Sequence, residues 1–323
     1  MRKTLLLLAL AIFAVQICAA QEEEPKLWNH EGALGLNMAQ SHFDNWSAGG
    51  TDNVTFVGLA KYNINFKKGN SKWDNSIDLG LGYNYFDLDK KPVKTDDKID
   101  LSSLYGYNLS NDKFFATAEF TFKTQFVDGF DYTKDSTNRI SGFFIPAYFT
   151  LGIGAQWVPN KYFSLNVAPV DCRLTIVNDE TLADAGSYGV EKAEYDEEGN
   201  LKSHGKKTRW ELGAQVTAKF EYEIFKNVTF NSKLVAYYDY LRTNEYNAFG
   251  EDFQCRIDWD WDNAIVMKVN DWLNCNVSAR LLYDEDILPI KAVFHEENGG
   301  YWTDKGFFQF KEVLSVGFSC KLP

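Results

Sequence analysis

The stretch VTFVGLAKYNINFKKGNSKWDNSIDLGLGYNY, Val54 to Tyr85, holds two alternating segments around one polar turn. Val54, Phe56, Gly58, Ala60, Tyr62, Ile64 and Phe66 share one parity; Thr55, Lys61, Asn63, Asn65 and Lys67 share the other. After Lys68-Gly69-Asn70-Ser71-Lys72, the residues Trp73, Ile77, Leu79, Leu81, Tyr83 and Tyr85 alternate with Asp74, Ser76, Asp78, Gly80, Gly82 and Asn84. Side chains of a strand point to opposite faces in turn, so each segment predicts a strand with one apolar and one polar face. Long hairpins of this kind suit a sheet with lipid on one side and a wet interior on the other.

Working outward, the same pattern recurs along the chain and predicts an all-β fold of about twelve strands. The expected strands are 33–40, the opening hairpin, 98–109, 114–126, 147–157, 163–170, 210–222, 228–240, 254–269, 273–283 and 308–322. Within 114–126, Phe114, Ala116, Ala118, Phe120, Phe122 and Phe126 oppose Thr117, Glu119, Thr121, Lys123 and Gln125. Tight turns such as Ser110-Asn111-Asp112, Pro159-Asn160-Lys161 and Asn270-Asp271 alternate with longer connections without a break. A transmembrane up-and-down antiparallel β-barrel has this arrangement, with short periplasmic turns, longer extracellular loops and both termini periplasmic. An open sheet cannot sit in lipid because its edge groups lack partners, so the strands must close.

Aromatic residues cluster where such strands would leave lipid. Phe66, Trp73, Phe114, Trp157, Phe163, Phe225 and Trp272 flank the short turns as one expected girdle. Tyr83, Tyr85, Phe126, Trp210, Tyr238, Tyr240, Trp259, Trp261 and Tyr283 form the other.

At the amino terminus, Arg2 and Lys3 precede an apolar run from Leu5 to Val15 and the small residues Cys18-Ala19-Ala20. This pattern predicts a cleaved secretory signal over 1–20, then a short periplasmic segment over 21–32 and the barrel over 33–323. The net charge of −12 disfavours nucleic acid as a partner. Cys172, Cys255, Cys275 and Cys320 have no zinc-site spacing; Cys275 and Cys320 read as two small apolar residues facing lipid, with a disulfide between them conceivable in an oxidising compartment.

Four short motifs carry a resemblance. Asn45-Trp46-Ser47-Ala48-Gly49-Gly50, Lys94-Thr95-Asp96-Asp97, Thr124-Gln125-Phe126 with Gly129-Phe130, and Phe310-Lys311-Glu312-Val313-Leu314 together resemble the Bacteroidetes domain of unknown function 3078 family. That resemblance implies an outer-membrane barrel-type protein with no assigned activity and no catalytic residues to carry over.

The expected lumen parity carries both charge signs. Its candidates are Glu119, Lys123, Glu211, Lys219 and Glu221, together with Asp258, Asp260 and Asp262 from the run Ile257-Asp258-Trp259-Asp260-Trp261-Asp262. Three acids on one strand face repel unless met by cations. Asp258 and Asp260 are therefore weak candidates for a divalent ion or a cationic solute, and Arg256 and Lys268, or residues of the strand at 228–240, could neutralise them equally well. Hydrolase chemistry needs a histidine beside a nucleophile or an acid. Only His30, His42, His204 and His295 are available, and His42 with Asp44 is the one weak candidate. The acids Glu191, Glu194, Asp196, Glu197 and Glu198 read as a solvated surface or a hairpin above the membrane. The expectation is a non-enzymatic outer-membrane channel or pore-like barrel for small polar solutes, with lipid as its surroundings and no cofactor. A closed structural or surface-interaction barrel is the alternative, and a hydrolase comes third.

Overall fold

The computed structural model describes residues 27–41, 53–86, 91–131, 138–241, 257–284, 293–295, 300–302 and 308–322. Residues 1–26, which include the expected signal, and His42 with Asp44 lie outside the described residues.

Twelve long strands make one closed antiparallel barrel. They are β1 (Trp28–Ser41), β2 (Asn53–Lys68), β3 (Ser71–Tyr85), β4 (Val93–Ser110), β5 (Phe114–Thr124), β6 (Ala147–Asn160), β7 (Phe163–Ile176), β8 (Thr208–Phe225), β9 (Val228–Asp239), β10 (Ile257–Lys268), β11 (Leu273–Tyr283) and β12 (Gln309–Leu322). Each strand pairs with its neighbours in sequence, and β1 closes the ring on β12, with Leu34 opposite Cys320 and Met38 opposite Val316. The five tight turns lie at one end, and β1 begins and β12 finishes there too, because Trp28 pairs with Phe66 and Gly32 with Leu322. The longer connections leave the other end.

Exposure is inverted relative to a water-soluble protein. Leu34, Leu36, Phe56, Tyr107, Phe120, Leu151, Ile153, Trp210, Val216 and Leu314 stand out from the wall, whereas Thr117, Glu119, Gln156, Asn166, Asp171, Glu211 and Asp239 are buried inside it. A continuous apolar outer belt of this size needs an apolar medium.

Strand boundaries differ most from the expected ones at three places. β1 starts at Trp28, inside the segment expected to precede the barrel, since the Trp28 ring packs on Phe66 at 4.9 Å and on Trp73 at 6.1 Å. β4 starts at Val93, within an expected loop, and passes an irregularity between Lys94 and Asp96, opposite Gly82 and Tyr83. β7 runs to Ile176 instead of stopping at Val170. Here one extra residue is inserted: Val167 and Val170 face Ala155 and Ile153 of β6, while Ala168 and Asp171 face Gln215 and Gly213 of β8. Such a bulge shifts the alternation by one residue and hides the strand from a period-two reading; Pro169 fits because it has no N–H to contribute.

Beyond the barrel, residues 177–207 fold into a cap, in which Glu194–Tyr195 and Leu201–Ser203 pair as the expected hairpin and the five acids Glu191, Glu194, Asp196, Glu197 and Glu198 are exposed. A short helix α1 (Glu180–Asp184) is capped by Asp179, whose carboxylate accepts from the Leu182 N–H at 2.9 Å. Ile145, Val177, Ala183 and Val190 form a small apolar core with Leu182 and Tyr188. Arg139 bonds Asp179, and the Tyr188 hydroxyl donates to the Ile140 carbonyl at 2.5 Å, tying the cap to the segment before β6.

Candidate functional site

The lumen face brings together the polar groups that the twelve strands deliver inward. Around β10, ladder pairing sets Asp262 opposite Lys233, Asp260 opposite Val235 and Asp258 opposite Tyr237, so the three acids share the inner face while Trp259 and Trp261 face out. Each acid meets a cation. The Arg280 guanidinium grips Asp260 with two bonds of 2.8 Å and lies 3.6 Å from Asp262. Arg173 Nη1 stands 3.5 Å from Asp258. Lys123 Nζ comes within 3.9 Å of Asp260 although four strands separate β5 from β10 around the wall. Of the partners the sequence offered, Arg256 lies outside the described residues; the structure supplies Arg280 from the adjacent strand β11, opposite Asp262 in register, and Arg173 and Lys123 from strands that closure of the barrel brings near. The acids of β10 are thus committed to ion pairs, which argues against the weak metal reading of Asp258 and Asp260.

The Lys123–Asp260 contact crosses the lumen, and two others do the same. Arg173 reaches from β7 to β10, and Lys311 of β12 lies 3.6 Å from Asp96 of β4 and donates to the Thr95 carbonyl at 3.3 Å. All three lie toward the long-loop end, because Asp96, Lys123, Arg173, Asp258 and Lys311 sit near the ends of their strands that the long connections join. On the β8 wall at the same end, Arg209 faces Glu211 at 3.6 Å and Asp239 at 3.7 Å.

Toward the turns the lining changes character. Glu119 accepts from Asn166 at 2.8 Å, and Asn166 accepts from Thr117 at 2.9 Å. Lys72 of β3 bonds Gln156 of β6 at 2.5 Å and lies over the Phe115 ring at 4.2 Å. Asn274 donates to Ser319 at 2.9 Å. Lys219 and Glu221 occupy the inward parity of β8 here, with Lys219 opposite Lys233 in register.

On the outer face, Phe66, Trp73, Phe114, Trp157, Phe163 and Trp272 all lie beside the tight turns. Phe114 stacks near Trp157 at 6.4 Å, Trp157 meets Phe163 at 6.2 Å, and Trp272 stacks on Phe318 at 5.7 Å. At the opposite end Tyr238 contacts Tyr240 at 5.9 Å, whereas Tyr283 is buried against Phe308 and does not join an exposed ring. Cys172 and Cys275 are free thiols, and Cys275 pairs in register with Val316 while Cys320 lies opposite Leu34, so no disulfide joins Cys275 to Cys320. Cys255 lies outside the described residues.

Three of the four short motifs meet at the long-loop rim. Lys94 donates to Asp97 at 3.0 Å, Gln125 at 2.7 Å, the Val127 carbonyl at 3.0 Å and Ser141 at 3.2 Å. Asp97 in turn accepts the backbone N–H groups of Phe126 at 2.7 Å and Val127 at 3.1 Å. Gly129 passes so close that a Cβ there would lie 2.8 Å from Lys94 Nζ. With Lys311 on Asp96 and Thr95, these residues stitch β4, the exit of β5 and β12 together. Sequence separation conceals this node; the motif residues were legible, their convergence was not.

In the cap, Asp184 takes the Gly205 N–H at 2.7 Å and His204 Nδ1 at 2.9 Å. That bond raises the His204 pKa above its ordinary 6.5, and the same bond, then the Gly205 N–H, holds Asp184 below its ordinary 3.8. Glu180, Asp184 and His204 place possible metal-ligating atoms within 4.8 Å of one another.

The class of protein that this fold defines is a closed twelve-stranded barrel with an apolar exterior and a charged lumen. The family described as a protein of unknown function (DUF3078) matches residues 38–130. That stretch spans the end of β1 through β5 and includes three of the four motifs, so the family resemblance holds there. No curated protein matches the sequence. Among solved structures, the chain is similar in fold to the NanC porin at 10% identity, covering 90% of this chain and 97% of that one with a TM-score of 0.36. It is also similar to the translocator domain of the autotransporter NalP from Neisseria meningitidis, at 10% identity, 100% and 95% coverage and a TM-score of 0.37. The COG4313 outer membrane channel from Pseudomonas putida F1 gives 7% identity, 93% and 100% coverage and a TM-score of 0.39. Likenesses this distant say nothing of solute or activity.

Proposed function

We propose that the protein is an outer-membrane, channel-like barrel for small polar solutes, narrowed at its long-loop end by ion pairs that cross the lumen. The observation that carries this reading is the set Lys123–Asp260, Arg173–Asp258 and Lys311–Asp96. Twelve strands enclose more space than the packed interior of an eight-stranded barrel and less than a sixteen-stranded porin, so the side chains decide how much of the lumen stays open. Paired charges spanning a wet interior restrict passage without filling it with apolar bulk. Short turns and both strand termini at one end support a periplasmic placement of that end. The folded 177–207 cap favours a second reading, a surface that meets an external partner. No catalytic role is assigned to any residue.

Conductance of the refolded full chain in a planar lipid bilayer tests the proposal. The wild type should give small discrete current steps, and the double variant Lys123→Ala, Asp260→Ala should enlarge them at least twofold. Silence from both proteins after verified insertion overturns it.

A further inference from the structure

The ring of strands is not zipped equally all the way round. The β1–β12 ladder is the shortest of the twelve: it pairs Gly32 with Leu322 at the turn end and stops at Met38 with Val316. Beyond that point Ala39 and Gln40 pair with Thr55 and Val54 of β2, and Gln309 to Ser315 pair with Leu282 to Asn276 of β11. Among the described residues these two segments do not pair with each other. Both strands therefore carry a free edge along the long-loop half of the seam, where unmatched N–H and C=O groups are costly against lipid.

Polarity is reversed at this seam. Elsewhere the wall is mainly apolar outside and polar inside. Lys311 reaches across the lumen to Asp96, so Glu312, the next residue on β12, faces outward. It is exposed between Phe310 and Leu314, which stand out on the lipid face, and no cation or hydrogen-bond donor meets it among the described residues. Gln40 is exposed on the outer parity that Leu36 and Met38 share on β1. A carboxylate among lipid-facing residues is destabilising unless it serves a function.

Inside, the lining next to the gap is small or apolar. Leu59 of β2 covers Gly35 and Gly80, where added Cβ atoms would lie 3.5 Å from its Cβ and 3.3 Å from its Cδ2. Val57 covers Gly82, where such an atom would lie 2.8 Å from its Cγ2. Val313 is on the inner parity of β12 at 36% exposure, and Ala39 is exposed on β1. Asn37 and Thr55 interrupt this strip without adding charge.

We propose that the long-loop half of the β1–β12 seam is a lateral opening through which a cationic amphiphile passes between the lumen and the bilayer. Its apolar chain runs along Val57, Leu59 and Val313, and its head meets Glu312. Neither part is then stranded in the wrong medium: the chain exchanges lipid for an apolar strip, and the head finds a carboxylate at the gap. The inference goes beyond the channel reading, since it adds a path through the wall to the path along the axis.

The test uses the refolded full chain in phosphatidylcholine vesicles and two photoreactive probes, alkyl chains of equal length with a diazirine at the tail and either an ammonium or a sulfonate head. After irradiation, peptide mapping should find the ammonium probe on the inner-face residues Val57, Leu59 or Val313, about fivefold more than the sulfonate probe, the order expected of one ion pair. Glu312→Gln should remove that preference. The double variant Ala39→Cys, Ser315→Cys continues the register of the ladder into the gap. Its oxidised form should lose inner-face labelling and regain it on reduction, which separates entry through the seam from entry along the axis. Labelling of wild type confined to outward residues such as Leu314 and Phe318 means that the seam is zipped or covered by another chain, and overturns the opening; so does inner-face labelling that survives in the oxidised variant. Equal labelling by the two probes overturns the role of Glu312. Should the double variant fail to fold or to oxidise, the wild-type pattern decides alone. A barrel that takes the probe inside and never conducts refutes the axial channel and leaves the opening standing, whereas a conducting barrel labelled only outside does the reverse.

Discussion

The two ends of the lumen solve the same problem differently. Both must keep polar groups satisfied inside a ring of strands whose outer face is apolar. Toward the long loops the solution is charge against charge across open space: Lys123 with Asp260, Arg173 with Asp258, Lys311 with Asp96. Toward the turns it is mostly amide and hydroxyl, as in Thr117, Asn166 and Glu119 or Asn274 and Ser319. Such networks close within one or two strands, whereas these three ion pairs reach partners three or more strands away. The long-loop end should therefore be the sensitive one, both for stability and for passage.

Arg173→Ala attacks that difference most directly. It removes the cation from Asp258 and uncovers the Tyr237 ring, with both charged partners mostly shielded from solvent. Breaking a shielded pair by removing one member costs about 3 kcal/mol, which urea unfolding in lipid vesicles should register. A loss no larger than that of a neutral substitution near the turns would end the contrast.

Paired glycine substitutions sharpen it next. An alanine Cβ at Gly213 would lie 2.1 Å from the Tyr238 carbonyl, so backbone must move, at about 1–3 kcal/mol. At Gly106, near the turns, the nearest atoms belong to the flexible Lys72 chain, with Cε at 2.8 Å. Gly106→Ala should change stability by less than about 0.5 kcal/mol, because a displaced lysine stem is offset by the lower flexibility of alanine in the unfolded chain. Equal melting temperatures for the two variants would show that the wall near Gly213 yields more readily than its packing implies.

The smallest effect belongs to the cap. With the His204 pKa raised, its tie to Asp184 is complete below the ordinary 6.5 and is lost as pH rises through the raised value. Asp184 is held below 3.8, so its share is present above 3.8 and lost as pH falls through the depressed value. Limited proteolysis of 177–207 should be slowest between those limits and faster at pH 9, and His204→Gln should flatten the difference. Identical pH profiles for wild type and variant would remove the pair from the account of what holds the cap.

How much was legible follows from the range of each interaction. The hairpin from Val54 to Tyr85 announced itself because alternation is local, and β11 was bounded correctly by the same signal. Alternation alone ends β7 at Val170, since one inserted residue beside Pro169 reverses the parity. That ending hid Arg173, whose pair with Asp258 crosses the lumen. Lumen parity for Glu119, Lys123, Glu211 and the β10 acids was readable, but their partners were not.

The sequence by itself determined the alternating strands, the sorting of short and long connections, and therefore a barrel with lipid outside and charge inside, because hydrophobicity and period two act between neighbours in the chain. Only the tertiary structure decided that Lys123 meets Asp260, that Lys94 gathers the ends of two strands, and that β1 and β12 pair over only part of their length. Those pairings depend on closure and register, which place residues far apart in the chain across a few ångströms of lumen.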